Sequence, residues 1–535
     1  MTENQGLTLP SRPPKTPGFP TNPLPIVFEQ FEGLNTKASR PGIKDTEMSW
    51  CDGWMPIGPN NLRTLPGLGP ALYTPTPPLT VQWFGFGNIG ADAYSYALLS
   101  DGSMQQIAVS GGGVTQVMAP GTISTPSSTA VGFSQWGRIY ILFSAAQTNG
   151  YWVWDGTTLS QSGSGAGLNI TSGISGTTIE VYTAHVWVGA ALNNGALVNF
   201  SAPGSAVDFT TGNGGGSFSS RDSFLRNTFV RFLQTNGFLY LIADSSINYI
   251  SGVTTSGGTP TTTFTNQNVD PQTGTPWPWS VQLFSRNIVF GNSSGIYVSY
   301  GGAVTKVSGP LDGIYNSVPS HGPITPSAAV GELFGITVYM MLLPIINSFT
   351  GQQQNSLMMW DGKKWWTSQQ DRPLTFIATQ ELNSVLGAYG TDGTAIWPLC
   401  TTPTNAFQKV VQSKLFANPH YLYVKTANRL YGIVNDNSSG DFNLTVQVDS
   451  EKPPFSIAIP NPAPGISWTN SGGAPITWTN NSAQPIVWLG QGLGIFGPLA
   501  VAQNGRLTGM TAISTDEDLT LVSLTLLDQT WSAQV

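Results

Sequence analysis

Tyr94-Ser95-Tyr96-Ala97-Leu98-Leu99 is followed by Asp101-Gly102 and then by Gln106-Ile107-Ala108-Val109. Two short runs rich in aromatic and branched apolar residues, split by a turn dipeptide, read as a β-hairpin. Asp-Gly suits a tight type I′ turn, in which both central residues take positive φ. Upstream, Val81-Gln82-Trp83-Phe84-Gly85-Phe86 supplies another strand of the same kind. Downstream the pattern recurs at Ala130–Phe133, Arg138–Phe143 and Tyr151–Trp154, which ends on Asp155-Gly156. It returns at His185–Val188, Phe238–Ile242 with Ile247–Ile250, and Asn287–Phe290 with Ile296–Val298. Thr337–Leu342 with Leu357–Trp360, Lys364–Trp366, Val385–Tyr389 and Ala395–Trp397 complete the series. Asp-Gly occurs six times, at Asp52, Asp101, Asp155, Asp312, Asp361 and Asp392, and a hairpin is expected at each. The units repeat about every 35–55 residues, the period of propeller blades, and no helical periodicity competes. The fold class expected is all-β, a β-propeller of six or seven blades between Leu79 and Leu399.

Composition agrees with a turn-rich β protein. The chain has 535 residues, with 62 Gly, 39 Pro and 17 Trp, and only 9% are charged, against about 25% in ordinary globular chains. A low charge suggests a membrane protein, yet no apolar run reaches the ~18 residues of a spanning helix. The longest, Ile336–Ile346, is interrupted by Pro344. Aromatic residues at 11% provide a core that disordered chains lack. So few surface charges fit a subunit whose exterior is largely interface. The net charge of −7 gives no basic footprint for nucleic acid. A neutral-to-acidic wall nevertheless lets DNA slide past without sticking, because phosphate contacts dominate affinity.

Four segments are expected. Residues 1–25 contain seven prolines and favour an extended arm that lies across a neighbouring subunit. They have no apolar stretch of signal-peptide type. Residues 26–75 lead into the propeller of 76–400, and 401–535 read as a β-sandwich or platform domain. Its strands are Tyr421–Val424, Arg429–Val434, Phe442–Val448, Thr511–Ser514 and Leu519–Leu526. Within it, Ile466-Ser467-Trp468, Ile476-Thr477-Trp478 and Ile486-Val487-Trp488 repeat every ten residues. Ile and Trp two apart share one face of a strand, so Trp468, Trp478 and Trp488 form either a core face or an aromatic contact patch.

Convergent chemistry is sparse. His185, His321 and His420 never fall in metal-ligand spacing. His185 reads as a packed or rim residue of a blade strand, and the other two as exposed turn residues. Asp516-Glu517-Asp518 lacks the alternation of a calcium loop and reads as a solvated hairpin tip. Arg221, Arg226 and Arg231, five apart, alternate faces of a strand and do not make one patch. Asp222 is a modest salt-bridge partner for them, and a ring of arginines built from symmetry copies is the bolder alternative. Gly212–Gly216 is a flexible loop, and Thr254–Pro276 a long Gly/Ser/Thr-rich one. Cys51 and Cys400 read as two buried thiols. No phosphate-binding loop of the Gly-x-x-x-x-Gly-Lys-Ser/Thr type occurs. The expectation is therefore no catalytic, cofactor or metal residue and no enzyme.

One forty-residue stretch carries a resemblance. It opens on Gly33-Leu34-Asn35-Thr36, passes a short acidic helical turn at Ile43–Glu47 and crosses Trp50-Cys51-Asp52-Gly53-Trp54. It closes on Leu62-Arg63-Thr64-Leu65-Pro66-Gly67. This order resembles the N-terminal segment of tail nozzle (tail tubular, or hub) proteins of short-tailed bacteriophages. A second passage, Val186-Trp187-Val188-Gly189 with Ser201-Ala202-Pro203-Gly204 and Asp208-Phe209, is similar to the blade sequence of the same family. The resemblance implies a non-enzymatic virion protein of the phage tail, a hexamer forming the distal DNA exit channel. By the same resemblance its partners are a tail adaptor and tail fibre or needle proteins, with genomic DNA passing unread. Gating would fall to loops such as Thr254–Pro276. The chain after Cys400 carries no motif of that family. The competing classes are a glycan-binding or glycan-cleaving propeller and a trimeric receptor-binding fibre.

Overall fold

The computed structural model describes residues 25–143, 147–192, 194–219, 228–315, 318, 324–382, 385–401, 405–417, 423–436, 442–459, 478–479, 485–486, 493–527 and 530–533. The expected arm of residues 1–25 falls almost wholly outside them.

Seven antiparallel sheets succeed one another along the chain, at 81–118, 131–161, 178–219, 229–270, 282–306, 327–368 and 376–398. The first strand of each is Val81–Ile89, Val131–Gln135, Thr178–Tyr182, Phe229–Thr235, Gln282–Phe284, Ser327–Leu333 and Phe376–Leu382. Each first strand touches that of the next sheet, the fourth reaching the fifth through the turn Pro278–Ser280, and the seventh touches the first. The circuit closes: this is a β-propeller of seven blades. Six blades have four strands, and the seventh has three of its own. Its fourth place is taken by chain that precedes the first blade. Leu72 N donates to Ile396 O (2.7 Å) and Ile396 N to Tyr73 O (2.9 Å).

Packing explains why so many strands read as unbroken apolar runs. Successive side chains of a strand point to opposite faces, and both faces of a blade are covered by neighbouring blades. In Ile139–Phe143, Ile139, Ile141 and Phe143 join the core shared with blade 1, while Tyr140 and Leu142 join that shared with blade 3. In Phe238–Ala243, Leu239, Leu241 and Ala243 face blade 3, and Tyr240 and Ile242 face blade 5. Pro344 is tolerated inside Ile336–Ile346 because the neighbouring strand Ser327–Leu333 has already ended, at the pair Ser327–Leu342.

Four of the six Asp-Gly pairs close hairpins, by a geometry other than the expected one. At Asp101, Asp155, Asp361 and Asp392 only the glycine takes positive φ, 78–98°, so the turns are not type I′. The aspartate instead accepts from backbone two or three residues ahead. Asp361 Oδ1 receives Lys363 N (2.8 Å) and Lys364 N (2.7 Å), and Asp155 Oδ1 receives Thr157 N and Thr158 N. Asp52-Gly53 instead lies between Met48–Asp52 and Trp54–Ile57, strands of two different sheets, and Asp312 opens a single helical turn, Asp312–Tyr315. The helical turn expected at Ile43–Glu47 sits earlier, at Arg40–Gly42, where Pro41 presets φ.

The two terminal regions do not form separate segments. Blade 6 continues through Trp365–Ser368, which bridges in parallel to Met48–Asp52 (Asp52 opposite Thr367). The sheet then runs on through Lys409–Ser413, Gly509–Ser514, Leu444–Asp449 and Phe455–Ile459. A second sheet takes Trp54–Ile57, Asn61–Thr64, Leu519–Leu527, Tyr423–Asp436 and Leu493–Gly505. Ile26–Phe28 joins it on Leu519–Leu527, and Thr530–Ala533 on Tyr423–Asp436. The expected 26–75 and 401–535 segments are thus interleaved strand by strand, in place of a self-contained C-terminal sandwich. Tyr421–Val424 and Arg429–Val434, expected as two strands, belong to the single strand Tyr423–Asp436 where described. In the tryptophan repeat, Trp478-Thr479 pairs with Pro485-Ile486, and Trp468 and Trp488 lie outside the described residues.

Candidate functional site: the ring axis and the terminal junction

Propeller ligands and conduits use the axis, and here the axis is filled. Rings from non-adjacent blades meet there, which is possible only at the centre of a seven-membered ring. The Trp83 ring of blade 1 lies 5.5 Å from that of Trp279, which leads into blade 5. The Trp279 ring is 5.9 Å from Phe376 of blade 7, and its Nε1 donates to Ser128 O beside blade 2 (2.7 Å). Phe133 of blade 2 is 5.4 Å from Trp83. Gly85 permits this, since a Cβ there would stand 2.6 Å from Trp83 Cη2. Arg231 of blade 4 lays its guanidinium 4.2 Å over the Trp279 ring.

The plug carries one acid and one base. Glu180 of blade 3 accepts from Ser134 Oγ (3.0 Å) and Val181 N (2.9 Å). Burial raises its carboxyl above the ordinary range, opposed by those bonds and by Arg231. Burial lowers the Arg231 guanidinium, and Glu180 offsets this. Arg231 Nε is buried without a hydrogen-bond partner. A single engaged carboxylate differs from the flanking acid pair that glycoside cleavage uses. Of the three arginines singled out in the sequence, Arg231 is therefore axial, while Arg221 and Arg226 (with Asp222) lie outside the described residues.

The second polar cluster welds the propeller to the terminal sheets, and the Gly-Leu-Asn-Thr stretch builds it. Leu34 N donates to Trp365 O (2.7 Å) in blade 6, and Thr36 N to Pro310 O (2.8 Å) after blade 5. Gly33 has φ 118°, and a Cβ there would lie 3.2 Å from Trp365 N, so glycine is required. Asn35 Nδ2 and Lys44 N both donate to Glu47 Oε2 (2.9 Å each). Asp52 is 3% exposed and accepts from Gln369 N (2.9 Å). Burial pushes its carboxyl up to about 6, against the pull of Gln369, Gln354 and Thr367.

Asp516-Glu517-Asp518 belongs to this cluster and is no solvated hairpin tip. It crosses from one terminal sheet to the other, between Gly509–Ser514 and Leu519–Leu527. Asp518 pairs with Arg63 (2.5 Å), whose guanidinium lies 4.1 Å over Phe334 of blade 6. Glu517 accepts from Gly67 N (3.1 Å) and pairs with the buried Lys409 (3.4 Å). Burial raises Glu517 and lowers Lys409, each countered by the other. The Leu-Arg-x-x-Pro-Gly end of the motif thus binds the acidic corner. The sequence signal was present in both pieces, but 450 residues separate Gly67 from Glu517.

The other singled-out residues are structural. His185 is 2% exposed, its Nδ1 2.5 Å from Ser201 O. Ser201-Ala202-Pro203-Gly204 turns the chain so that Phe209 packs on Tyr151 of blade 2 (5.7 Å), and Ala206 O accepts from Tyr151 Oη (2.9 Å). Gly212–Gly216 runs from within the turn Thr211–Asn213 to the start of strand Gly216–Ser219. Thr254–Pro276 is not a loop through most of its length. Ile247–Ser256 and Thr261–Asp270 extend the third and fourth strands of blade 4, with Thr255 and Thr262 hydroxyls 2.8 Å apart. Phe264 on this hairpin packs against Trp187 (5.4 Å) and Phe218 (4.8 Å) of blade 3. Cys51 and Cys400 are buried free thiols; burial raises both, Cys400 to about 12. His321 and His420 lie outside the described residues. Among the described residues, no group of three metal-ligating side chains is gathered, and no helix is long and apolar enough to cross a membrane.

No family model matches the chain, and no curated protein matches it. Among solved structures it is similar to BBS1N in complex with ARL6DN, at 8% identity and TM-score 0.36, covering 66% of this chain and 98% of that one. It is also similar to YCF48 bound to D1 peptide, at 11% identity and TM-score 0.35, covering 64% and 100%. A third is the extracellular domain of the putative one component system BT4673 from B. thetaiotaomicron, at 12% identity and TM-score 0.37, covering 78% of this chain and 51% of that one. Likeness this weak carries no argument, and the seven-bladed ring stands on its own strand pairing.

Proposed function

We propose that the chain is a structural subunit of a short-tailed phage virion. It is one copy of a hexameric tail nozzle that forms the distal DNA exit channel and anchors neighbouring tail proteins. The observation that carries this reading is the use made of the resembling motif. Leu34 and Thr36 of its Gly33–Thr36 opening bond to blade 6 and to the chain after blade 5, while Arg63 and Gly67 tie the N-terminal strands to the C-terminal acidic corner, so the motif marks a load-transmitting joint. The filled axis is consistent with it, because a conduit then lies between copies and not through one. Cyclic symmetry would multiply each weak contact around such a ring. A chain in which only 9% of residues are charged suits extensive contact with an adaptor, with fibre or needle proteins, and with passing DNA that is not read. The role is mechanical and non-catalytic.

Native mass measurement of the purified assembly tests this. Six copies with an open centre between them are expected. Three copies would point to a fibre, and a lone monomer that cleaves glycans would overturn the reading.

A further inference from the structure

At the end of the axis where the first strands of blades 7, 1 and 2 finish, a groove of about 460 Å³ opens, within the range of small-molecule sites. Its wall is chemically uniform. Asn88, Gln135 and Gln380 bring amides, Tyr94 and Phe86 add half-buried rings, and Glu381 is the sole charge; the Thr379 hydroxyl accepts from Val330 N of blade 6 (2.7 Å). Gln380 is 4% exposed, yet its Nε2 has no hydrogen-bond partner. Gln135 Oε1 is occupied by Asn88 N (2.8 Å), which leaves the Gln135 NH2 as a donor. The Phe86 ring is braced by Tyr389, 4.9 Å away, and Gly87 lets blade 2 close tightly on this strand, since a Cβ there would meet Ile139 Cδ1 at 2.6 Å and Gln135 Oε1 at 3.0 Å.

We infer that this groove binds a neutral saccharide of one or two rings. A buried amide N–H without a partner is costly, and an acceptor supplied by a ligand removes that cost. No cation lines the groove, so phosphate, sulfate and carboxylate ligands find no counter-charge. Sugar hydroxyls donate and accept at once, matching amides that offer both functions. The C–H faces of a pyranose match the exposed sides of Tyr94 and Phe86. With Glu381 the only carboxylate in the wall, the two-acid machinery of glycoside cleavage is missing, so the saccharide is held and released unchanged. This site is independent of the number of copies in the assembly.

Saturation-transfer NMR on the intact protein tests the inference, with methyl glucoside, methyl galactoside, N-acetylglucosamine and rhamnose as probes. Sialic acid and a blocked glycine tripeptide amide serve as controls. At least one neutral sugar should show transfer, and neither control should. Gln380→Met keeps the volume and removes the donor. It should weaken the bound sugar about tenfold while leaving the melting temperature unchanged or raised, a pattern a purely structural glutamine would not give. If that variant fails to fold, Gln135→Ala on the exposed rim should show the same weakening. Absence of transfer to every neutral sugar, preference for the peptide amide, or full affinity in both variants would overturn the proposal.

Discussion

Two indoles meet on the axis in opposite hydrogen-bonding states, and replacing each by phenylalanine separates two contributions to the plug. Trp83 is fully buried and its Nε1 has no partner. Trp279 is 8% exposed, and its Nε1 donates to Ser128 O at 2.7 Å. Shrinking either indole to a phenyl loses burial and leaves a small void, on the order of 1–2 kcal/mol in both cases. Trp279→Phe also loses a hydrogen bond, about 0.5–1.5 kcal/mol. Trp83→Phe instead removes an unsatisfied donor and recovers roughly 1–3 kcal/mol. Trp83→Phe should therefore be close to neutral, and Trp279→Phe should be the weaker protein by roughly 2–4 kcal/mol. The readout is the urea midpoint of the propeller transition by circular dichroism, at one protein concentration because assembly shifts apparent stability. The two variants are compared on the same transition, since a chain of this size need not unfold in two states. Equal losses, or a larger loss at Trp83, would refute the idea that the axial plug is ordered by one satisfied and one frustrated indole.

Gly189→Ala puts a Cβ 2.2 Å from Phe232 Cζ between blades 3 and 4. Overpacking of about 1–3 kcal/mol should lower the melting temperature, and Phe232→Leu in the same chain should restore part of it. Asp52 supplies a pH dependence. Its folded pKa, about 6, lies above its ordinary value of 3.8, so the folded state retains the proton longer. Its contribution is complete below about pH 4 and is lost as pH rises through about 6, on the order of 2–3 kcal/mol. Asp52→Asn should flatten that part of the melting-temperature profile between pH 4 and 7; an unchanged slope would assign it elsewhere. Leu72→Pro deletes the donor of the 2.7 Å bond to Ile396 O. Hydrogen exchange should quicken first in Ile396–Pro398, at the ring closure, while Phe238–Ala243 in blade 4 stays protected. Uniform loss of protection would show that closure is carried elsewhere.

How much of the fold was legible in the sequence depends on how local each determinant is. Strands such as Tyr151–Trp154 and Phe238–Ala243 are short apolar runs bounded by turns, and period-2 burial on both faces accounts for them without distant information. Asp-Gly located four hairpins, although the aspartate works by accepting backbone N–H groups and not by entering positive φ. It failed at Asp52, because strand partners far away in the chain decide whether the backbone turns back or crosses into another sheet. The same blindness hid the junction. Arg63 and Asp518 look unremarkable where they stand in the chain, and only the crossing of the two termini sets them 2.5 Å apart. The axis was invisible for a related reason. Trp83, Phe133, Arg231, Trp279 and Phe376 have no mutual spacing, since each comes from a different turn of the ring. Thr254–Pro276 was read as a loop because Gly, Ser and Thr dominate it, yet threonine is a strand former. Its alternating partly buried and exposed residues are those of a hairpin laid along the neighbouring blade.

The way the ring is joined to the rest bears on what it can withstand. A flexible linker would let the propeller swing, as domains joined by few contacts commonly do. Here one hydrogen-bonded sheet runs without a break from the inner strand of blade 6, Ser327–Leu333, outward to Phe455–Ile459. Displacing the terminal sheets therefore requires shearing a backbone ladder and parting Leu34 from Trp365, Thr36 from Pro310 and the Arg63 guanidinium from the Phe334 ring. The aromatic rings that fill the axis resist inward movement of the blades. A subunit built in this way passes an applied load on to its neighbours with little change in its own shape. That property is the one the proposed nozzle would demand of its wall.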